Sequence, residues 1–425
     1  MSEVRAVPAG KRARGEVRVP GSKSASHRHL NLALVARKPL RIRNLLRAED
    51  IDHFLRVLGD LGWGIRSGPG DEVRLLPQET LPASAELFAG KAGTLGRFLT
   101  ASLTTLPGRW ILDGAPRLRE RPVGPLVETL RTLGAEIDCR GEEGFLPLEI
   151  RGGSLEGGVA RLDAGSSSQY LSALMMAGLS ARRPSRVEVV ALTSSPYVEI
   201  TASVVESWGG EIDWDGHRLE VRPGLDPPPE VTVEGDDSSA AYPAAAAVLT
   251  GGRVELLGLP REPQHGDRRF LEVLAVMGGE VEWRGDRLLV SGTGSLTAVD
   301  RDMGDLPDQV PTLAALAPWA RGTTRIRGVP HLRIKESDRL AAMARELGRL
   351  GVPVEETKDG LSVEGVWAEK EPPSDPVAVV AHDDHRIAMS LAVAGLRRPG
   401  VRIEDSGVVA KSYPGFWDDL ERLVG

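Results

Sequence analysis

Six times along this 425-residue chain an amphipathic run ends in a large apolar residue followed by glycine. The runs include FLRVLGDLGWGI, LVETLRTLGAEI, ITASVVESWGGEI, FLEVLAVMGGEV, MARELGRLGVPV and FWDDLERLVG. Their glycines are Gly62, Gly134, Gly209, Gly278, Gly351 and Gly425, spaced 69 to 75 residues apart. Recurrence at a fixed period means that the fold is assembled from copies of one supersecondary unit. Glycine suits the left-handed position that closes a helix, and most of these sites lead into a short strand such as GAEIDCR or GGEVEWR.

A second series keeps step with the first. Small or polar residues open an alanine-rich, nearly uncharged run in GSKSASHRHLNLALVA, KAGTLGRFLTASLTTL, GSSSQYLSALMMAGL, GDDSSAAYPAAAAVLTG, GDLPDQVPTLAALAPWARG and HDDHRIAMSLAVAGL. A helix apolar around its whole circumference is buried on all sides, so each unit is expected to hold one inner and one outer helix with several strands. Flanking segments such as RVEVVAL and TTRIRGV read as short β-branched strands. A chain of this length exceeds one core. Three units fit in residues 20–235 and three in 236–425, with 1–19 adding a strand to the second half. The expected class is α/β, in two domains that the chain crosses twice at one hinge, with a cleft between the halves.

Composition removes several functions. Net charge is −7 and aromatics are 4 % of residues, a poor basis for a nucleic-acid surface. Cys139 is the single cysteine, which rules out an intrachain disulfide or a thiolate metal cluster. The N-terminal residues lack the apolar core of a signal peptide, and no apolar run approaches membrane-spanning length, so a cytoplasmic protein is expected.

The polar residues concentrate where the inner helices begin. A helix start carries unpaired N–H groups and partial positive charge, which attract small anions. Lys23, Ser24 and Arg28 stand at the first start, Arg97 at the second, and Ser166, Ser167, Ser168 and Gln169 at the third. His385 and Arg386 stand at the last. Each cluster also has a plain reading. GSKS and GSSSQ suit ordinary caps, and no glycine occupies the place a P-loop requires. HDDHR offers two histidines without further metal ligands, and no dinucleotide fingerprint G-x-G-x-x-G occurs. HLRIKESDRL (331–340) sets Lys335 and Arg339 one helical turn apart beside Glu336, as a surface helix laced with ion pairs would. DMGDLPDQVPT holds Asp308 at a proline-marked turn, where simple capping would also place an aspartate.

In order and spacing, PGSKSASHR, LDGAPRLRERPVG, SSQYLSALMM, SSPYVEIT, RIKESDRL, DDHRIAMS and AKSYPGFWDDL resemble the 5-enolpyruvylshikimate-3-phosphate synthase family of enolpyruvyl transferases over essentially the whole chain. The resemblance implies the two-domain enolpyruvyl transferase fold: each domain three βαβαββ units, an inside-out α/β barrel with an interdomain cleft. It implies transfer of the enolpyruvyl group of phosphoenolpyruvate to shikimate 3-phosphate, by a monomer without cofactor or metal, on the way to chorismate and the aromatic amino acids. By similarity the shikimate phosphate meets Ser167, Ser168, Ser194 and Lys335. Lys23, Ser24, Arg28, Gln169, Tyr197, Asp308 and His331 position the rest of that substrate. Phosphoenolpyruvate meets Lys23, Gly93, Arg121, Gln169, Arg339, His385, Arg386 and Lys411. Asp308 is expected as the base, Glu336 as the acid, and Lys23 at the bridging oxygen of the departing phosphate. Closure of the halves would complete the site and exclude water.

Three positions depart from the family pattern near the donor: Lys91 for asparagine, Gly96 for a bulkier residue, and Phe98 for proline. They imply an altered donor pocket; His331 for asparagine is a smaller change. The sister transferase acting on UDP-N-acetylglucosamine is the nearest competitor, but it reads lysine–asparagine at the first cluster and carries a loop cysteine that APRLRERPV lacks. A non-catalytic anion-binding protein on the same scaffold would be expected to lose Asp308, Glu336 or Lys411, and all three are present.

Overall fold

SRVEVVAL alternates buried and exposed side chains, and in the computed structural model it is the strand Ser185–Leu192, with Val187 and Val189 inside and Arg186 and Glu188 outside. It runs parallel to Gly158–Ala164 and antiparallel to Arg218–Arg222, which pairs in turn with Glu211–Trp214. Helix Gln169–Gly178 joins the parallel pair, and Pro196–Ser207 precedes the hairpin, so the order is βαβαββ. Ser84–Phe88, Gly108–Asp113, Glu136–Cys139 and Leu148–Gly152 repeat that pairing around helices Gly93–Ser102 and Gly124–Thr132. The structure describes residues 3–262 and 265–425.

The chain divides into two units, Gly21–Val233 and Met1–Pro20 with Glu234–Gly425. Each has its own apolar core. The first repeat of the Gly21–Val233 unit contains Lys23–Ala36, Leu40–Arg43, Glu49–Asp60, Trp63–Ser67 and Val73–Pro77. Its leading strand comes from the far end of the same unit: Glu230–Thr232 lies parallel to Leu40–Arg43. Arg14–Arg18, next to the first helix in sequence, instead pairs parallel with Arg253–Leu257. The sixth repeat ends at helix Phe416–Val424 without a hairpin, and Val4–Ala6 fills the gap antiparallel to Val401–Glu404. The N-terminal segment therefore supplies two strands rather than one.

The inner helices are Lys23–Ala36, Gly93–Ser102, Gln169–Gly178, Asp237–Thr250, Val310–Leu316 and His385–Gly395. All eleven residues of the last are buried, as its lack of a charged face requires. Polar side chains inside find one another: Ser102 donates to Asn31 at 2.9 Å, and Thr312 lies 3.2 Å from Ser390. The outer helices bury one stripe; Phe416–Val424 covers its core with Phe416, Trp417, Leu420, Leu423 and Val424. Behind five of them the periodic glycine has positive φ, from 69° at Gly209 to 114° at Gly278. At Gly134 the closing turn is complete, with Gly134 N–H bonded to Arg131 and Ala135 N–H to Leu130. Among the described residues no helix is long and apolar enough to cross a membrane.

Candidate active site

In the Gly21–Val233 unit, Ser22 caps the first inner helix by accepting the Ala25 N–H at 3.2 Å. That cap presents Lys23, whose Nζ lies 3.6 Å from Asp50, a buried residue in the first turn of Glu49–Asp60. One turn on, Arg28 is buried and donates from Nη1 to the Ser24 carbonyl (2.8 Å), from Nε to Thr201 (2.8 Å), and from Nη2 to the Tyr197 carbonyl (2.7 Å). Burial lowers its pKa to about 9, so it remains a cation at neutral pH. Arg28 thus clamps Lys23–Ala36 to Pro196–Ser207 and holds the main chain of Ser24 and Tyr197.

The second and third helix starts are tied together. Arg97 donates to Gln169 Oε1 at 2.9 Å, and Gln169 Nε2 donates to Thr94 at 2.9 Å. Gly93 opens the second helix, and a Cβ there would stand 2.5 Å from Arg121 Nη1 and 2.7 Å from Arg97 Nη1. Two guanidiniums therefore lie over bare backbone at a helix start. Such a place suits a carboxylate or phosphate. Ser167, Ser168 and Ser194 follow the ends of neighbouring parallel strands, where Ala164 pairs with Leu192. All three serines are buried, and Ser194 has φ 54°, a left-handed conformation in a connection rather than in a helix.

The other unit gathers the remaining charges around Arg339. Its Nη1 donates to Asp308 at 2.8 Å, its Nη2 to Glu336 at 3.0 Å, and its Nε to Asp384 at 2.8 Å. Burial opposes its charge, but Asp384, Glu336 and Asp308 together raise its pKa above the ordinary arginine value. The second oxygen of Asp308 meets Arg386 at 2.5 Å, and that of Glu336 meets Lys411 at 3.3 Å. Three carboxylates thus face three cations, with Arg339 only 2 % and Asp384 0 % exposed. Asp384 also caps the last inner helix by accepting the Arg386 N–H at 3.0 Å, which starts that helix at His385. Burial, aided by Lys335 and Arg339, lowers the His331 pKa to about 4 against the opposing pull of Asp308, so its ring is neutral at physiological pH.

Two expectations drawn from the sequence change here. Residues 331–340 are not one helix: Pro330–Ile334 is a 3-10 turn, Lys335 is extended, and the helix starts at Arg339 because Asp338 caps it through the Ala341 N–H. Lys335 and Arg339 are therefore not one helical turn apart. Gly96 and Phe98 face the core. A Cβ at Gly96 would approach Leu118 at 3.4 Å, and Phe98, fully buried, underlies Arg28 at 5.5 Å. These two departures act through packing, while Lys91 is exposed. The two histidines of HDDHR lie in separate surroundings: His382 pairs with Glu346 at 2.7 Å, and His385 is buried at the helix start. No group of three or more His, Cys, Asp or Glu suited to a metal occurs among the described residues.

Asp384, Asp50 and Thr94 escaped the sequence reading. Asp384 carried a usable signal, since aspartate just before an apolar helical run is a cap. Asp50 carried none, because acidic residues in a first turn are ordinary.

A family model described as EPSP synthase (3-phosphoshikimate 1-carboxyvinyltransferase) matches residues 7–420. The chain is 44 % identical over 418 residues to the 3-phosphoshikimate 1-carboxyvinyltransferase of Syntrophobacter fumaroxidans, covering 96 % of this chain and 97 % of that protein. It is 39 % identical over 421 residues to that of Vibrio cholerae, covering 96 % of each. The solved structure of EPSP synthase from Acinetobacter baumannii superposes with a TM-score of 0.80 at 28 % identity, over 100 % of this chain and 98 % of that one.

Proposed function

The chain belongs to the EPSP synthase family, and from that premise we propose how its residues divide the work. It transfers the enolpyruvyl group of phosphoenolpyruvate to the 5-hydroxyl of shikimate 3-phosphate and releases phosphate. Addition requires the hydroxyl to lose a proton as it attacks C2 while C3 gains one. Elimination then removes a proton from C3 and breaks the bond from C2 to the phosphate oxygen.

Phosphoenolpyruvate is gripped by Gly93, Arg121, Gln169 and Lys23, and by Arg339, His385, Arg386 and Lys411. The observation that carries this assignment is the lack of room for any side chain at Gly93 beneath Arg121 and Arg97. Ser167, Ser168, Ser194 and Lys335 take the shikimate phosphate. Lys23, Ser24, Gln169, Tyr197, Asp308 and His331 orient its ring, and Arg28 contributes by fixing Ser24 and Tyr197.

Asp308 is the base for the 5-hydroxyl. Its two arginine partners hold it as a carboxylate, the form a base needs. Glu336 protonates C3. Both of its oxygens meet cations, so it must exchange those bonds before it can carry a proton. Anionic phosphoenolpyruvate supplies the exchange by competing for Arg339 and Lys411. Lys23 stabilises the bridging oxygen as phosphate departs. The same reading makes the chain a cytoplasmic monomer, which light scattering of purified protein tests for mass.

The deciding assay is phosphate release with phosphoenolpyruvate and either shikimate 3-phosphate or UDP-N-acetylglucosamine. Turnover is expected with the first acceptor only. Release with the second acceptor alone would overturn the assignment.

A further inference from the structure

Helix Arg339–Arg349 carries two buried charges seven positions apart, and therefore on one face: Arg339 and Glu346. The reaction described above uses Arg339 and leaves Glu346 without a role. The Glu346 side chain is 0 % exposed, yet it meets three polar partners. Its Oε1 lies 2.7 Å from His382 Nε2, and its Oε2 accepts the Val380 N–H at 3.0 Å and Arg349 Nη1 at 3.2 Å. Oε2 thus accepts two N–H bonds, and Oε1 makes the third contact with His382 Nε2.

Those partners bracket an uncommon turn. Strand Val377–Val380 ends, and His382 and Asp383 follow at φ 52° and 56°, both in the left-handed region although neither is glycine. Consecutive residues of this kind persist only where neighbours hold them. Immediately after them come Asp384 and Arg386. Helix Arg339–Arg349 therefore grips the turn on both sides. Upstream, Glu346 holds Val380 and His382; downstream, Arg339 holds Asp384 at 2.8 Å.

We propose that Glu346 and His382 are a positioning pair, which fixes the left-handed turn so that Arg386 meets phosphoenolpyruvate in the productive geometry. The inference rests on the assignment of Arg386 to that substrate. Neither residue touches the reacting atoms; both act through Asp384 and Arg386.

The test compares His382→Leu, which removes the bond to Glu346, with His382→Gln, whose amide can still reach Glu346, and with Glu346→Gln. A displacement near 1 Å can cost up to about a hundredfold, so KM for phosphoenolpyruvate should rise roughly tenfold to a hundredfold in His382→Leu. KM for shikimate 3-phosphate should stay within about twofold, and His382→Gln should recover most of the loss. Glu346→Gln should follow His382→Leu. An unchanged KM for phosphoenolpyruvate would overturn the pair. So would equal rises in both KM values with a lowered melting temperature, or a glutamine variant no better than leucine. A wild-type protein that releases no phosphate would sink the Arg386 assignment and the inference with it. Normal wild-type turnover with unaffected variants would sink the pair alone.

Discussion

Gly93→Ala adds one methyl group where the structure leaves no space. The new carbon would stand 2.5 Å from Arg121 Nη1, 2.7 Å from Arg121 Cζ and 2.7 Å from Arg97 Nη1. Ordinary contact near 3.5 Å requires both guanidiniums to withdraw by roughly 1 Å. Arg97 cannot move freely, because Gln169 Oε1 and the Pro122 carbonyl accept from it at 2.9 and 3.3 Å. A misplacement of that size should lower kcat/KM for phosphoenolpyruvate about 10- to 100-fold, or about 1.4–2.8 kcal/mol of transition-state stabilisation. The backbone does not object, since Gly93 begins a helix and its φ is not in the left-handed region, so the cost in stability is that of moving the two guanidiniums, about 1–3 kcal/mol. Stability and donor affinity should therefore fall together. Phosphate release with each substrate varied in turn, together with a thermal melt, reads both. Gly96→Ala is the control, since its nearest neighbours are apolar carbons at 3.4 Å and beyond. It should leave kinetics unchanged and hold or raise the melting temperature. If Gly93→Ala leaves KM for phosphoenolpyruvate unaltered, or both substitutions change it equally, the argument from side-chain direction is wrong.

Lys23→Met and Glu336→Gln should each abolish phosphate release while circular dichroism stays native; turnover above a tenth of wild type in either would remove that residue from the mechanism. Asp384→Asn takes the most deeply buried of three anionic partners from Arg339 and should cost about 3–5 kcal/mol in urea denaturation. A cost below about 1 kcal/mol would show that Asp308 and Glu336 suffice to hold Arg339. Acid should treat the two units differently. Burial lowers His27 and His29, both in the Gly21–Val233 unit, to about 4, so the unfolded chain binds their protons first. Their contribution is complete above about pH 6.5 and is lost as pH falls towards 4. In the other unit, burial raises Glu234 to about 7 and Asp237 to about 6, so there the folded state binds protons first. That pair adds stability as pH falls from 7 towards 4.5, partly offset by His331, which burial lowers to about 4. Hydrogen exchange of the intact protein, corrected for intrinsic rates, should show protection falling faster in Gly21–Val233 between pH 6.5 and 5, and parallel loss in both units would refute this.

The repeats were legible because helix closure makes a chemical demand that glycine meets, and five of the periodic glycines do carry positive φ. The inner helices were legible because alanine-rich runs without charge cannot face water. Residues 1–19 were expected to add one strand to the second half; the second strand, Val4–Ala6, and the lead of the first repeat by Glu230–Thr232 were not legible, since nothing local in either segment says which sheet edge it will join. Lys335 and Arg339 were misplaced because charges four apart look like a helical pair, although Asp338 was the stronger cue. Glu346 stayed hidden for the opposite reason. Between Arg345 and Leu347 it resembles any solvated charge, and only the fold shows that it is sealed inside.

The exchanged strands also set an order of assembly at the ribosome. Residues 21–233 emerge as a complete set, closed by Glu230–Thr232, and can finish folding while the remainder is still being translated. Residues 4–18 have no such opportunity. Arg14–Arg18 waits for Arg253–Leu257, and Val4–Ala6 waits for Val401–Glu404. The second unit thus closes only after the whole of the first has been made, and its N-terminal strands stay without their sheet partners for that interval.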